Sequence, residues 1–151
     1  MGAPERRIAL LDQVLEVAVL INRDMNKSLG EYDLTPARTH LLWELFHRGP
    51  CSQRILADAL AVTARNVTGL VDRLEETGYV VREPHPGDRR AALVTLTDQG
   101  VEVMAQMQKD QERFARLVFA DLPDHQLDAL TRGLAHVLDR LRDLVPKGEP
   151  Q

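Results

Sequence analysis

The chain has 151 residues, of which 44% are hydrophobic and 28% are charged, proportions that fit one folded domain, or a small domain with a helical extension. Aromatic residues make up only 4%, so we expect an aliphatic core. The single cysteine, Cys51, excludes a disulfide framework and a cysteine-rich zinc module. The formal net charge of −4 argues mildly against a nucleic-acid binder, which usually carries a basic excess.

The first segment, residues 1–34, predicts one long helix. Apolar residues recur at alternating spacings of three and four from Ile8 to Leu29. A second apolar flank that includes Val14 and Leu20 implies that this helix has partners on two sides. The longest apolar run, 17–21, is too short to span a membrane, and no signal peptide fits the N-terminus. We therefore expect a cytoplasmic protein with no membrane contact.

Three shorter helices are predicted next. Thr35 is the expected N-cap of a helix over 36–48, which ends at Gly49-Pro50. Ser52 caps a helix that carries apolar residues up to position 60, and Thr63 caps another over 63–77. Two short helices joined so tightly match the size of a helix-turn-helix.

The period of the pattern then changes. Residues 79–82 predict a strand, 84–88 a turn cluster and 92–96 a second strand. Thr97 caps a long helix that Leu122-Pro123 ends, and a last helix repeats leucine and valine from Leu127 to Leu144. The tail, 146–151, is expected to fray. The predicted fold class is mainly α (α+β), a winged helix-turn-helix with N- and C-terminal dimerisation helices.

The terminal helices carry more apolar surface than a compact domain of this length needs, and such surface marks an interface. We expect a homodimer built from both chain ends. The predicted domains are an N-terminal dimerisation helix at 1–34, a DNA-binding domain at 35–97 and C-terminal dimerisation helices at 98–145.

One face of helix 63–77 is not needed for the core and suits DNA. Arginine and asparagine are the side chains that bond bidentately to guanine and adenine edges, and small residues let a helix approach the major groove closely. This face presents Ala64, Arg65, Asn66, Thr68, Gly69, Asp72 and Arg73. The predicted hairpin adds Arg89 and Arg90 on a projection that suits a narrow minor groove.

The alternative is that these arginines form an ordinary solvated face. From Arg48 to Asp98 there are seven basic and seven acidic residues, so the segment has no net positive bias. Pattern alone leaves both interpretations open.

Several stretches carry a family resemblance. They run from Leu74 to Arg82, from Asp88 to Ala91 and from Leu96 to Gly100, with support from 34–36 and 67–73. From about Ile8 to Val145 the chain resembles the MarR family of winged helix-turn-helix transcriptional regulators. The resemblance implies a homodimeric regulator, expected to be a repressor, on a pseudo-palindromic operator with half-sites about one turn, ~10 bp, apart.

The resemblance also implies roles for individual residues. The family's recognition helix falls on 63–77, and its Asp-x-Arg wing element falls on Asp88 and Arg90, where the aspartate orients the arginine that enters the minor groove. Arg89 then meets phosphate, as do Ser52 and Gln53 at the start of the preceding helix. The implied contacts of the recognition helix are Thr63, Arg65, Asn66, Thr68 and Arg73. The acidic residues Asp72, Glu75 and Glu76 are expected to reduce non-specific attraction to DNA. Binding should therefore depend only modestly on salt concentration.

Family members often release DNA when a small anionic aromatic molecule binds. Helix 36–48 carries His40, Trp43 and His47, which form a pocket wall if Trp43 stacks on such an effector, or otherwise pack and face solvent. His40, Glu44 and His47 also have a spacing able to bind a divalent metal, although metal-responsive relatives take further histidines from the helix after the wing, and 97–120 contains none.

Other classes fit less well. Cys51 is expected to be buried and inert rather than a redox sensor. The sequence has no glycine-rich phosphate loop and no nucleophile elbow, which argues against an enzyme and a bound cofactor. A helical adaptor that only dimerises would explain the terminal stripes, but not the hairpin with its arginines.

Overall fold

A computed structural model describes residues 2–145, and the chain divides into two compact units, Met1–Thr39 and His40–Gln151. The first unit consists mainly of helix α1 (Ala3–Gly30). Its apolar stripe is uncovered, since Leu29 is the only residue of α1 that is buried, and Leu11 and Leu15 are more than half exposed at 57% and 55%. None of the described helices is long and apolar enough to cross a membrane.

The remaining elements follow the predicted order. The second helix, α2, begins at the end of the first unit, and the other elements belong to the second. They are α2 (Pro36–Arg48), β1 (Cys51–Ser52), α3 (Gln53–Leu60), α4 (Ala64–Glu76), β2 (Val80–His85), β3 (Asp88–Leu96), α5 (Asp98–Phe119) and α6 (Asp124–Leu144). The predicted frayed tail, 146–151, lies outside the described residues.

Four hydroxyl side chains begin the helices as predicted. The Oγ1 atoms of Thr35, Thr63 and Thr97 and the Oγ of Ser52 each accept a hydrogen bond from the backbone N–H three residues later, at 3.0–3.3 Å. Such a bond satisfies one of the N–H groups that have no partner inside the helix. The predicted starts of α2, α3, α4 and α5 are therefore confirmed.

The sheet differs from the prediction in two ways. It has three antiparallel strands in the order β1-β3-β2, and β1, which pairs Cys51 with Val94, was not predicted because a strand of two residues shows no alternation. The predicted turn over 84–88 is present but shorter, at 86–87, since β2 continues to His85 and β3 begins at Asp88. Pro84 pairs with Ala92 in an edge strand, where a missing N–H need not interrupt the ladder.

The core is aliphatic, as composition predicts. Its fully buried side chains come from α2, α3, α4, β2, β3 and the first turns of α5. They are Leu41, Leu42, Leu45, Leu56, Val67, Val71, Leu74, Val80, Val94 and Met104. The sheet and its neighbouring helices therefore form a mainly helical winged helix, which confirms the predicted fold class.

The last helix lies outside this core. Within its described residues α6 buries none, and its leucine stripe is between 37% and 47% exposed at Leu127, Leu130, Leu134 and Leu141. The second half of α5 is similarly open, with Leu117 at 74%. An amphipathic helix gains most of its stability from packing its apolar face, so these faces are suited to further burial.

Gly100 allows α5 to begin against the end of β2. Thr97 Oγ1 donates to the carbonyl oxygen of Gly78 at 2.6 Å, and a Cβ at Gly100 would overlap the carbonyl oxygen of Tyr79. Gly100→Ala is therefore expected to lower the free energy of unfolding by about 1–3 kcal/mol, measured by urea denaturation. The matched control is Gly69→Ala, whose Cβ meets nothing within 4 Å and which should raise stability by about 0.5–1 kcal/mol. Equal stability of the two variants would contradict this packing.

Candidate nucleic-acid interface

The outer face of α4 is open. The inner face buries Val67, Val71 and Leu74, so the opposite side of the helix remains available to a ligand. Arg65, Thr68, Gly69, Asp72 and Arg73 are exposed there, and Asn66 is half-buried. The chain reverses tightly before this helix, where Ala61 adopts a left-handed φ of 53°. The face on which α4 was predicted to read DNA is thus free, and α3 and α4 have the arrangement of a helix-turn-helix.

The hairpin tip is ordered by two short-range bonds. Asp88 Oδ1 accepts a hydrogen bond from the backbone N–H of Arg90 at 2.9 Å, and His85 Nδ1 accepts one from the N–H of Gly87 at 3.0 Å. Arg89 and Arg90 are exposed. Asp88 was expected to orient Arg90, and the contact between them passes through the backbone amide of Arg90, not through its guanidinium.

Arg82 joins three elements of this region. From β2 its Nη2 lies 2.6 Å from Asp72 Oδ1 and its Nη1 lies 3.2 Å from Glu75 Oε1, both on α4. Its Nε donates to Gln53 Oε1 of α3 at 3.0 Å, and its backbone N–H donates to Glu75 Oε2 at 3.0 Å. One side chain thereby connects both helices of the helix-turn-helix to the wing.

Sequence reasoning did not single out Arg82. It recognised the residue only as part of a matching stretch, because its three partners lie seven, ten and 29 positions away. The sequence did contain a signal. Asp72 and Glu75 lie on an exposed helix face, and Arg82 follows inside a predicted strand, so an ion pair that removes the repulsion between these carboxylates and DNA could have been inferred.

Bonds within the protein change how four predicted contacts are interpreted. Gln53 Nε2 donates to Thr68 Oγ1 at 3.0 Å, so both side chains already have partners within the protein. Ser52 Oγ serves as the cap of α3, and Arg73 Nη1 lies 3.3 Å from Glu76 Oε2. The contacts with phosphate or bases predicted for these residues stay predictions. Each contact would have to form while the side chain keeps its bond within the protein, or would have to replace that bond.

The basic residues of the segment divide into two groups. Arg48, Arg73 and Arg82 form ion pairs with Glu44, with Glu76, and with Asp72 and Glu75. The other four are exposed and make no ion pair within residues 2–145. They are Arg54, Arg65, Arg89 and Arg90. Ion pairs therefore neutralise the acidic residues of α4, and the unpaired arginines include those predicted to contact DNA.

Three aromatic side chains cluster on α2. The rings of Trp43 and His47 stack with centroids 5.3 Å apart and an interplanar angle of 12°, and Phe46 meets both rings edge-on. Phe46 also lines an apolar groove of about 280 Å³ together with Leu45, Pro50, Leu96 and Val101. The structure thus brings Trp43 and His47 together as predicted, but neither lines the groove, which the cluster borders only through Phe46.

The predicted metal ligands are not assembled. The Glu44 carboxylate is bound by Arg48 Nε at 2.6 Å, and His40 Nε2 lies 3.9 Å from Glu44 Oε1. Within residues 2–145 no three His, Cys, Asp or Glu side chains are grouped so that they could hold a metal ion. Burial raises the pKa of the Cys51 thiol, which disfavours the thiolate that oxidant sensing requires.

Comparison with known proteins identifies the family. A sequence model described as MarR family matches residues 34–92. The HTH-type transcriptional regulator MhqR of Bacillus subtilis is 25% identical over 117 residues, covering 78% of this chain and 81% of the relative. The HTH-type transcriptional regulator YkoM of the same organism is 33% identical over 109 residues, covering 66% and 71%.

The fold agrees with this result. The structure of a MarR family protein from Bacillus stearothermophilus superposes with a TM-score of 0.74 at 22% identity, covering 93% of this chain and 98% of that one. The sequence relatives are named as transcriptional regulators, not as enzymes, and the superposition shows that this chain has the fold of that MarR family protein. The chain belongs to the MarR family of DNA-binding transcriptional regulators.

Proposed function

We propose that the protein is a homodimeric repressor that acts in the cytoplasm and binds a pseudo-palindromic operator. In this proposal α4 enters the major groove, where Arg65 and Asn66 contact base edges, and the β2–β3 hairpin places Arg90 in the adjacent minor groove. Arg89 and the start of α3, with Ser52 and Gln53, meet phosphate. Thr63 and Arg73 flank the base contacts at the two ends of α4.

The separation of charge on the winged helix carries this proposal. Arg65, Arg89 and Arg90 are exposed and make no ion pair in the described part of the chain, whereas the carboxylates nearest to them along α4 are neutralised by Arg73 and Arg82. A solvated surface gains nothing from such sorting. A surface that approaches phosphates does, because each free arginine releases counterions from DNA on binding.

The uncovered faces of α1, α5 and α6 support the homodimer. These faces are apolar, lie outside the core and belong to amphipathic helices, which makes them suitable for an interface between two copies. A dimer places two recognition helices in successive major grooves, which implies half-sites centred about one turn, ~10 bp, apart.

An effector is a further element of the proposal. Trp43 and His47 stack on each other and meet Phe46, which lines the apolar groove. A small aromatic acid bound beside Phe46 would pack its ring on aromatic side chains and direct its carboxylate to His47 or His40. Glu44 lies next to these histidines but is paired with Arg48, which limits its repulsion of an anion. Ligand binding there would release the operator.

The first prediction concerns the two kinds of arginine contact. Arg65→Ala should cost about 1–3 kcal/mol and flatten the preference among operator variants if Arg65 bonds a base edge, whereas Arg90→Ala should weaken binding to all duplexes and reduce the salt slope by about one per protomer. The measurement is fluorescence anisotropy at several salt concentrations, with a duplex selected from a random library. Arg113→Ala on α5 is the control. Unchanged affinity in Arg90→Ala would remove the wing from the proposal.

The second prediction concerns the dimer. Leu134→Glu places a charge on the apolar stripe of α6 and should weaken dimerisation by more than about tenfold, because the carboxylate would be buried without a partner. Sedimentation should then give the 17.0 kDa monomer instead of twice that mass. Gln126→Glu adds the same charge at a polar position of α6 and should leave the dimer intact. A monomeric wild-type protein at micromolar concentration would contradict the proposal.

The third prediction concerns the effector. Trp43 is the only tryptophan of the chain, so its fluorescence reports directly on this site. Hydroxybenzoates should change that fluorescence and release the selected duplex over the same concentration range, and His47→Ala should weaken both effects. His125→Ala on α6 is the matched control. Release of DNA without any change in Trp43 fluorescence would place the effector elsewhere.

A further inference from the structure

Thr68 stands on the exposed face of α4, but its hydroxyl group is already engaged. Oγ1 donates its proton to the carbonyl oxygen of Ala64 at 3.1 Å and accepts a hydrogen bond from Gln53 Nε2 at 3.0 Å. A threonine hydroxyl has one proton to donate. To donate to a DNA base, Thr68 would first have to give up the bond to Ala64.

The orientation of Gln53 is determined by its other partner. Arg82 Nε can only donate, so the amide atom 3.0 Å from it must be the oxygen, which turns the amide nitrogen of Gln53 towards Thr68. Arg82 is itself held by Asp72 and Glu75. The bond that occupies the Thr68 hydroxyl is therefore the last step of a connected network and not an isolated surface contact.

With its proton engaged, the Thr68 hydroxyl keeps only one acceptor lone pair for a ligand, and the rest of the side chain that can meet DNA is its methyl group. Gly69 beside it has no side chain, and even an added Cβ there would meet nothing within 4 Å, so the surroundings are open. In the major groove the C5 methyl of thymine is the apolar group on a base edge. On this exposed residue, a methyl beside a hydroxyl that has no proton to donate complements that group better than it complements a hydrogen-bond acceptor on a base edge.

We infer that Thr68 recognises one thymine in each half-site through contact between its own methyl and the thymine methyl, while Gln53 and Arg82 act as positioning residues that keep its hydroxyl occupied. This inference rests on the proposed function, since it needs α4 to enter the major groove. It assigns to Thr68 a selection of thymine that requires no hydrogen bond.

The test removes the methyl from the DNA and from the protein separately. The probe is the highest-affinity duplex selected by the wild-type protein from a random library, resynthesised with deoxyuridine at each thymine in turn. We expect one sensitive thymine in each half-site. Replacing it in one half-site should lower the affinity of the wild-type protein about fourfold, and replacing it in both should lower it about fifteenfold, because each half-site loses one buried methyl contact.

Two variants form a matched pair. Thr68→Val keeps a branched side chain with methyl groups and removes the hydroxyl, so its affinity should still fall about fourfold for each half-site in which thymine is replaced by deoxyuridine. Thr68→Ser keeps the hydroxyl and loses the methyl, so it should bind the thymine and deoxyuridine duplexes equally. Circular dichroism confirms that both variants fold.

Three outcomes would overturn the inference. They are a wild-type protein indifferent to every deoxyuridine substitution, a thymine dependence that persists in Thr68→Ser, and a thymine dependence that is lost in Thr68→Val, which would show that it depends on the hydroxyl. A wild-type protein that selects no duplex at all would instead contradict the proposed function, and the assignment of Thr68 with it.

Discussion

The contacts of Arg82 hold the winged helix-turn-helix together on its ligand side. One guanidinium from β2 binds two carboxylates of α4 and the amide of α3, so the recognition helix, the helix before it and the wing are connected through a single group. The planar guanidinium suits this task because its N–H donors point in fixed directions, which a lysine ammonium would not provide. Each bond is partly solvated and contributes little stability by itself. The network acts mainly by fixing geometry.

The same contacts resolve an apparent conflict over charge. A chain with a net charge of −4 and a balanced central segment does not look like a DNA-binding protein. Asp72, Glu75 and Glu76 lie on or near the face that would approach phosphate, yet each is paired with an arginine from the protein. These pairs neutralise the acidic residues of α4, while Arg65, Arg89 and Arg90 stay exposed and without an ion pair among the described residues. Electrostatic steering depends on such local arrangement more than on net charge.

The apolar residues, like the charges, are concentrated in particular parts of the chain. The core lies between α2 and the first turns of α5, where Met104 is fully buried, and α6 buries none of its described residues. A helix with an uncovered apolar stripe has little reason to remain helical alone. The stripes of α1, α5 and α6 therefore make sense as surfaces completed by a second copy, with the winged helix as the part that is complete within one chain.

What the sequence determined by itself is what depends on local interactions. Thr35, Ser52, Thr63 and Thr97 cap helices through bonds that reach only three residues ahead, and the aliphatic periodicities predict which faces are buried, so the helices and the open face of α4 were predictable. Family motifs located the recognition helix and the wing. The tertiary structure alone decided which charges cancel and which hydroxyls are occupied, because Arg82 finds its partners up to 29 residues away. It also decided the extent of the hairpin and the existence of β1, since strand pairing depends on a neighbour that no local pattern specifies.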